Sequence, residues 1–82
     1  MRITIRFFAA ARAAAGTETS IVDVTDDITL GGLESVLGAD NPELARVLER
    51  CSYLRDSIAV CDRLAPLGSC ATLDVLPPFA GG

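Results

Sequence analysis

The amino-acid sequence predicts an α+β domain, a mixed sheet with helices on one face. Three observations carry this. Ile3, Ile5 and Phe7 alternate with Arg2, Thr4 and Arg6 at the start of the chain, which is the period of a half-buried strand. Between Leu30 and Cys51 the apolar residues recur instead at helical spacing. Short strand-like runs then return at Ser57–Cys61 and Cys70–Leu76.

Taken in order, Met1–Phe8 reads as the first strand, and Ala9–Ala15 as a short alanine-rich turn of helix or loop closed by Gly16-Thr17. Glu18–Val24 gathers Thr19, Ile21, Val22 and Val24, β-branched residues that favour a second strand. A turn at Asp26-Asp27 leads to Leu30, Leu33, Val36 and Leu37, a helical stripe with Thr29 as its cap and Gly38 as its stop. Asn41-Pro42 is a capping residue followed by Pro, a strong start signal for a helix. Its stripe, Leu44, Val47, Leu48 and Cys51, predicts a run to about Cys51. After an Arg55-Asp56 turn, Ser57–Cys61 is a strand, Asp62–Ser69 a loop, and Cys70–Leu76 the last strand. There Ala71, Leu73 and Val75 face inward, and Thr72, Asp74 and Leu76 outward. No repeat or linker divides the chain, so residues 1–82 are read as one domain with a tail at 77–82.

Composition excludes much chemistry. The 82 residues hold 7 arginines against 11 acids, a net charge of −4, which argues against a nucleic-acid or anionic-membrane partner. There is no His and no Lys. That removes Ser-His and Cys-His nucleophile pairs, Schiff-base lysines and the P-loop lysine. Cys51, Cys61 and Cys70 match no zinc spacing. Their odd number excludes a complete disulfide framework and places the protein in a reducing cytoplasm. Cys51 and Cys61 read as small core residues, while Cys70 lies in a polar turn and is expected to be exposed. The arginines and alanines before Glu18 faintly resemble a targeting segment, but the strand alternation opposes that reading. No apolar run approaches the roughly 20 residues of a membrane span. The chain is not expected to be an enzyme on its own.

The end of the sequence is unusual. Pro77-Pro78 cannot continue a strand ladder and leads out stiffly, and Phe79-Ala80 precede Gly81-Gly82. Residues without Cβ can thread a narrow channel, and a glycine carboxylate is the least hindered acyl group a chain offers. Phe8 and Leu76 both fall on the outward face of their strands. If those strands are parallel neighbours, the two side chains meet where the tail emerges, and Leu64 is a candidate third member. Such a group would make a docking patch. Phe8 tucked beneath Ala9–Ala15 is the competing reading.

Phe7-Phe8-Ala9-Ala10-Ala11-Arg12, Gly16-Thr17 and Leu76-Pro77-Pro78-Phe79-Ala80-Gly81-Gly82 together resemble the small subunit of molybdopterin synthase. That resemblance implies a ubiquitin-like β-grasp with parallel first and last strands. It also implies a sulfur carrier. Gly82 would be adenylated by a ubiquitin-activating-like adenylyltransferase using ATP and magnesium. A sulfur donor protein would then convert it to a thiocarboxylate. The sulfur would pass to cyclic pyranopterin monophosphate inside the large synthase subunit, in a heterotetramer, with no cofactor bound to the carrier. Gly81, Ala80 and Phe79 would thread the partner, and Phe8, Leu64 and Leu76 would contact it.

Three departures from the family pattern stand out: Ser69-Cys70-Ala71 before the last strand, Cys61-Asp62 after the penultimate one, and Phe79-Ala80 before the glycines. The last sits on the transferring tail and bears on partner choice. The rival readings are a carrier for cysteine or thiazole synthesis, a ubiquitin-like protein modifier, and an interaction domain with an inert tail.

Overall fold

The structure, a computed structural model, describes residues 1–60 and 62–78. Strand β1 (Arg2–Phe7) is followed by α1 (Ala9–Ala15), β2 (Thr19–Asp23), α2 (Leu30–Gly38) and α3 (Pro42–Leu48). Strands β3 (Ser52–Arg55), β4 (Ile58–Ala59) and β5 (Thr72–Leu76) complete it. The five strands form one mixed sheet in the order β2-β1-β5-β3-β4. β1 and β5 pair parallel at its centre, with Ile5 opposite Leu73 and Phe7 opposite Val75. The other pairings are antiparallel. The α+β class, the helices and the mixed sheet are as the sequence predicts.

Alternation along β1 and β5 decides the core. Ile3, Ile5, Phe7, Leu73 and Val75 are buried under the helices with Leu30, Leu33, Leu44 and Leu48. The starts of α2 and α3 are secured as the sequence implies. Gly32 N–H donates to Thr29 Oγ1 at 3.0 Å, and Leu44 N–H donates to Asn41 Oδ1 at 3.0 Å. Gly38 has a role beyond stopping α2. A Cβ built on it would meet the Cβ of Ala45 at 2.8 Å, so the glycine is what lets α2 and α3 approach this closely.

Several expectations need correction. Helix α3 ends at Leu48 rather than near Cys51, and Ser52–Arg55 forms a strand that the sequence reading missed. Cys51 and Leu54 continue the helical spacing of Leu44, Val47 and Leu48, so the pattern does not separate helix from strand there. The strand expected at Ser57–Cys61 is only Ile58–Ala59, both exposed, and Cys61 lies outside the described residues. β3 and β4 form a hairpin whose two-residue loop is Asp56-Ser57, both at positive φ (47° and 72°). Strand β5 starts at Thr72. Ala71 is exposed, because its N–H and that of Thr72 are drawn to the Asp56 carboxylate at 3.2 and 2.9 Å. Val36 also faces solvent, since the α2 stripe follows Leu30, Leu33 and Leu37. Cys70 is buried, not exposed, its thiol donating to the Thr72 carbonyl at 3.3 Å.

Candidate functional site: the sheet face at the tail exit

The parallel β1–β5 pair sets the geometry of the exit. Phe7 lies opposite Val75 in register, so Phe8 follows beside Leu76 on the open face. Phe8 is fixed from both sides. Its N–H donates to Val75 O at 3.3 Å, and its carbonyl accepts from Ala11 N–H at 3.0 Å as α1 begins. The turn into that helix is so tight that Ala9 adopts φ 49°, a left-handed conformation a residue with Cβ seldom takes. The Phe8 side chain is 37% exposed.

Arg6 is the third member of this face. Its Nε lies 2.8 Å from Asp74 Oδ1 on the neighbouring strand, and its Cζ lies 5.4 Å from the centroid of the Phe8 ring. The guanidinium is therefore held by a carboxylate and stacked on an aromatic face, a favourable cation–π arrangement. Opposite outward residues on paired strands, Arg6 with Asp74, carried the signal that could have found this pair. A shallow hollow of about 220 Å³ opens beside it, lined by Arg6, Phe8, Ala9 and Arg12 among others. Leu76 and Pro77 are half-buried and Pro78 is exposed where the chain leaves the sheet. Phe79, Ala80, Gly81 and Gly82, the expected threading and sulfur-bearing residues, lie outside the described residues.

Leu64 is placed differently. It is 85% exposed on the 62–67 loop, and that loop is tied to α2. Gly31 N–H donates to Arg63 O at 3.1 Å, and Leu67 N–H donates to Ile28 O at 2.9 Å. The structure thus pairs Phe7 with Val75, each one residue ahead of Phe8 and Leu76, and holds Leu64 on a separate anchored loop.

A second cluster, unforeseen from sequence, lies under the helices. The Tyr53 hydroxyl donates to Glu34 Oε2 at 2.6 Å, with Leu48 O 3.0 Å away. Arg63 pairs with the other oxygen of Glu34 and lies over the Tyr53 ring, 5.9 Å from its centroid. Burial pushes the Cys51 thiol up to about 11, with the Glu34 charge adding to it. Burial, then Asp56, likewise raises the Cys70 thiol. Both thiols are protonated at neutral pH and are poor nucleophiles. Among the described residues, no group of His, Cys, Asp or Glu is arranged to hold a metal ion. No described helix is long and apolar enough to cross a membrane.

The arrangement is an exposed aromatic ring with an ion-paired arginine over it, on the strand pair that leads to Pro77-Pro78. Solved structures with the same architecture are numerous. SAMP1 from Haloferax volcanii superposes with a TM-score of 0.80 at 28% identity, over 100% of both chains. The chain has the ubiquitin-like β-grasp fold. A protein assigned as molybdopterin converting factor subunit 1 in Pyrococcus furiosus gives a TM-score of 0.81 at 13% identity, over 96% of this chain and 99% of that one. The complex of subunits 1 and 2 of molybdopterin-converting factor from Helicobacter pylori contains a chain matching at 0.70 and 22% identity, over 100% of both. Both of these proteins share the fold of this chain. No family model matches the chain, and the comparison with curated proteins gives no match.

Proposed function

We propose that this β-grasp protein is a sulfur carrier and the small subunit of a molybdopterin synthase. In this reading an adenylyltransferase uses ATP and magnesium to activate the Gly82 carboxylate, and a sulfur donor protein converts it to the thiocarboxylate. The tail from Phe79 to Gly82 then enters the large subunit, where the sulfur is given to cyclic pyranopterin monophosphate. The carrier supplies no catalytic group of its own. Its active site is the partner's, and its own contribution is a presented acyl group and a docking face.

One observation carries the reading. The parallel pairing of β1 with β5 sets Phe8 beside Leu76 where the chain turns into Pro77-Pro78. A partner that grips this face meets the chain at Pro77-Pro78, where the tail begins. The Helicobacter pylori neighbour, whose structure is a complex of two subunits, supports a second subunit as that partner. The test is intact mass after incubation with ATP, the adenylyltransferase and a sulfur source. The expected product is heavier by the difference between one sulfur and one oxygen, and formed on Gly82. Adding one residue after Gly82 should abolish it with no change in melting temperature. Normal sulfur transfer by an untrimmed extended chain would refute the carrier.

A second reading, the protein modifier, is favoured by the 28% identity to SAMP1 over the whole chain. The same activated carboxylate would then join the amine of a lysine on another protein. Lysines of cellular proteins carrying the Leu64–Gly82 segment after tryptic digestion, Arg63 being the last tryptic site of the chain, would establish that route.

A further inference from the structure

We infer that Arg63 and Glu34 are positioning residues for partner docking, which hold the 62–67 loop so that Leu64 stands out as a preset apolar contact. The inference rests on the carrier reading and goes beyond it by naming residues that act on the partner without touching it.

Residue 63 is gripped twice. Its carbonyl accepts from Gly31 N–H at 3.1 Å, in the first turn of α2. One turn further along the helix, Glu34 takes the Arg63 guanidinium. Glu34 is not free to follow a moving loop, since its other oxygen accepts from the Tyr53 hydroxyl at 2.6 Å and Tyr53 is a core residue. The next residue, Leu64, has its N–H taken by Asp62 Oδ1 at 2.9 Å, which fixes the local turn. Further on, the Thr29–Pro66 bridge and the Leu67–Ile28 hydrogen bond close the loop.

Those two later anchors tie the far end of the loop to Ile28 and Thr29, just ahead of α2. The hold on residue 63 secures the near end of the loop, and through Glu34 joins it to the core residue Tyr53. What it fixes is the flank of a leucine that is 85% exposed. Ordering a loop before binding removes an entropic cost from the binding step, so an exposed leucine on a pinned loop is a better contact than the same leucine on a mobile one. Lone exposed leucines are common and often idle, and the experiment is chosen to separate the two cases.

The large synthase subunit from the same organism is titrated calorimetrically with wild type, Arg63→Met, Glu34→Gln, Leu64→Ala and the Arg63→Met/Leu64→Ala double variant. Arg63→Met is expected to weaken binding about tenfold, which is about 1.4 kcal/mol. Glu34→Gln should resemble it, since the amide still accepts from Tyr53 but no longer pairs with the guanidinium. Arg63→Lys should recover part of the loss. The double variant should bind no worse than Leu64→Ala alone within about twofold, because two residues in one chain of action are not additive. Fully additive losses would overturn the inference, as Arg63 would then act independently of Leu64. Hydrogen exchange on the free chain adds a second arm. The Gly31 amide should exchange faster in Arg63→Met, and an unchanged rate would overturn the strap. A wild-type chain that does not bind the large subunit would remove the carrier reading and this inference with it. A failure confined to the variants would leave the carrier reading standing.

Discussion

Two arginines in this chain are held in nearly the same way and serve different ends. Arg6 is 50% exposed against an Asp74 that is 13% exposed. Arg63 is 45% exposed against a Glu34 that is 14% exposed. Each guanidinium also lies over an aromatic ring, Phe8 in one case and Tyr53 in the other. The rings differ. Phe8 is 37% exposed on the open sheet face, whereas Tyr53 is 3% exposed in the core. The acids differ as well, because Glu34 also accepts the Tyr53 hydroxyl. The same three parts therefore present a side chain at the surface in one place and lash a loop to the core in the other. Burial of the ring decides which.

The largest expected effect comes from cutting each ring back to Ala. Tyr53→Ala opens the core and leaves Glu34 with one partner fewer. Its cost should approach the 3–5 kcal/mol typical of buried aromatic truncation, enough to unfold much of so small a domain. Phe8→Ala should cost the fold under about 1 kcal/mol but weaken large-subunit binding by 2 kcal/mol or more, about thirtyfold. Thermal melts on both variants and calorimetry on Phe8→Ala check the contrast. A melting loss at Phe8 equal to that at Tyr53 would place Phe8 in the core and abolish the distinction.

The sequence made one of these regions legible and hid the other. Arg6, Phe8, Asp74 and Leu76 lie on strands with clean alternation, so their common outward face follows from parity once β1 and β5 are neighbours. The Tyr53 region has no such marker. Only three residues separate the end of α3 from β3, where Cys51 and Leu54 keep the helical period going. Its hairpin loop, Asp56-Ser57, takes two positive φ values without the Asn-Gly or Asp-Gly pair that announces such turns. The loop is stabilised from a distance instead, by Asp56 receiving Ala71 and Thr72 N–H. Cys70 was misplaced for the same reason, since polar neighbours in sequence say nothing of a thiol folded inward. Glu34 and Arg63 are 29 residues apart and meet only through the tertiary fold.

An intermediate effect should appear on raising the pH, and on the buried side only. The thiol of Cys51 rises from 9.0 to about 11, and Tyr53 rises with it through burial and its bond to Glu34. A raised acid of this kind stabilises the fold fully while it is protonated in both states. The contribution holds below pH 9.0 and is lost as pH climbs toward about 11. Denaturant melts should therefore be level near neutrality in this respect and fall by the order of 1–2 kcal/mol above about pH 10. Cys51→Ala should blunt the fall. A steady midpoint through this range in wild type would mean that the cluster opens to water more freely than its packing implies.

The smallest expected effect isolates the two arginines themselves. In Arg6→Met the methylene stem can still cover Phe8, so the loss is mainly that of a half-exposed ion pair and a cation–π contact. Each is worth about 1 kcal/mol or less at such a site. For a domain of this size, 1 kcal/mol moves the melting temperature by roughly 4–8 °C, and the shift in Arg6→Met should fall at or below the lower end. Arg63→Met should lower it more. Its pair is equally exposed, but Glu34 then holds Tyr53 alone and the 62–67 loop loses one of its ties to α2. Added salt should narrow the gap between wild type and Arg6→Met, because screening already weakens a surface pair. If Arg6→Met proves the more damaging of the two, the open face carries structural weight that its exposure does not show, and the division between presenting and lashing would have to be reversed.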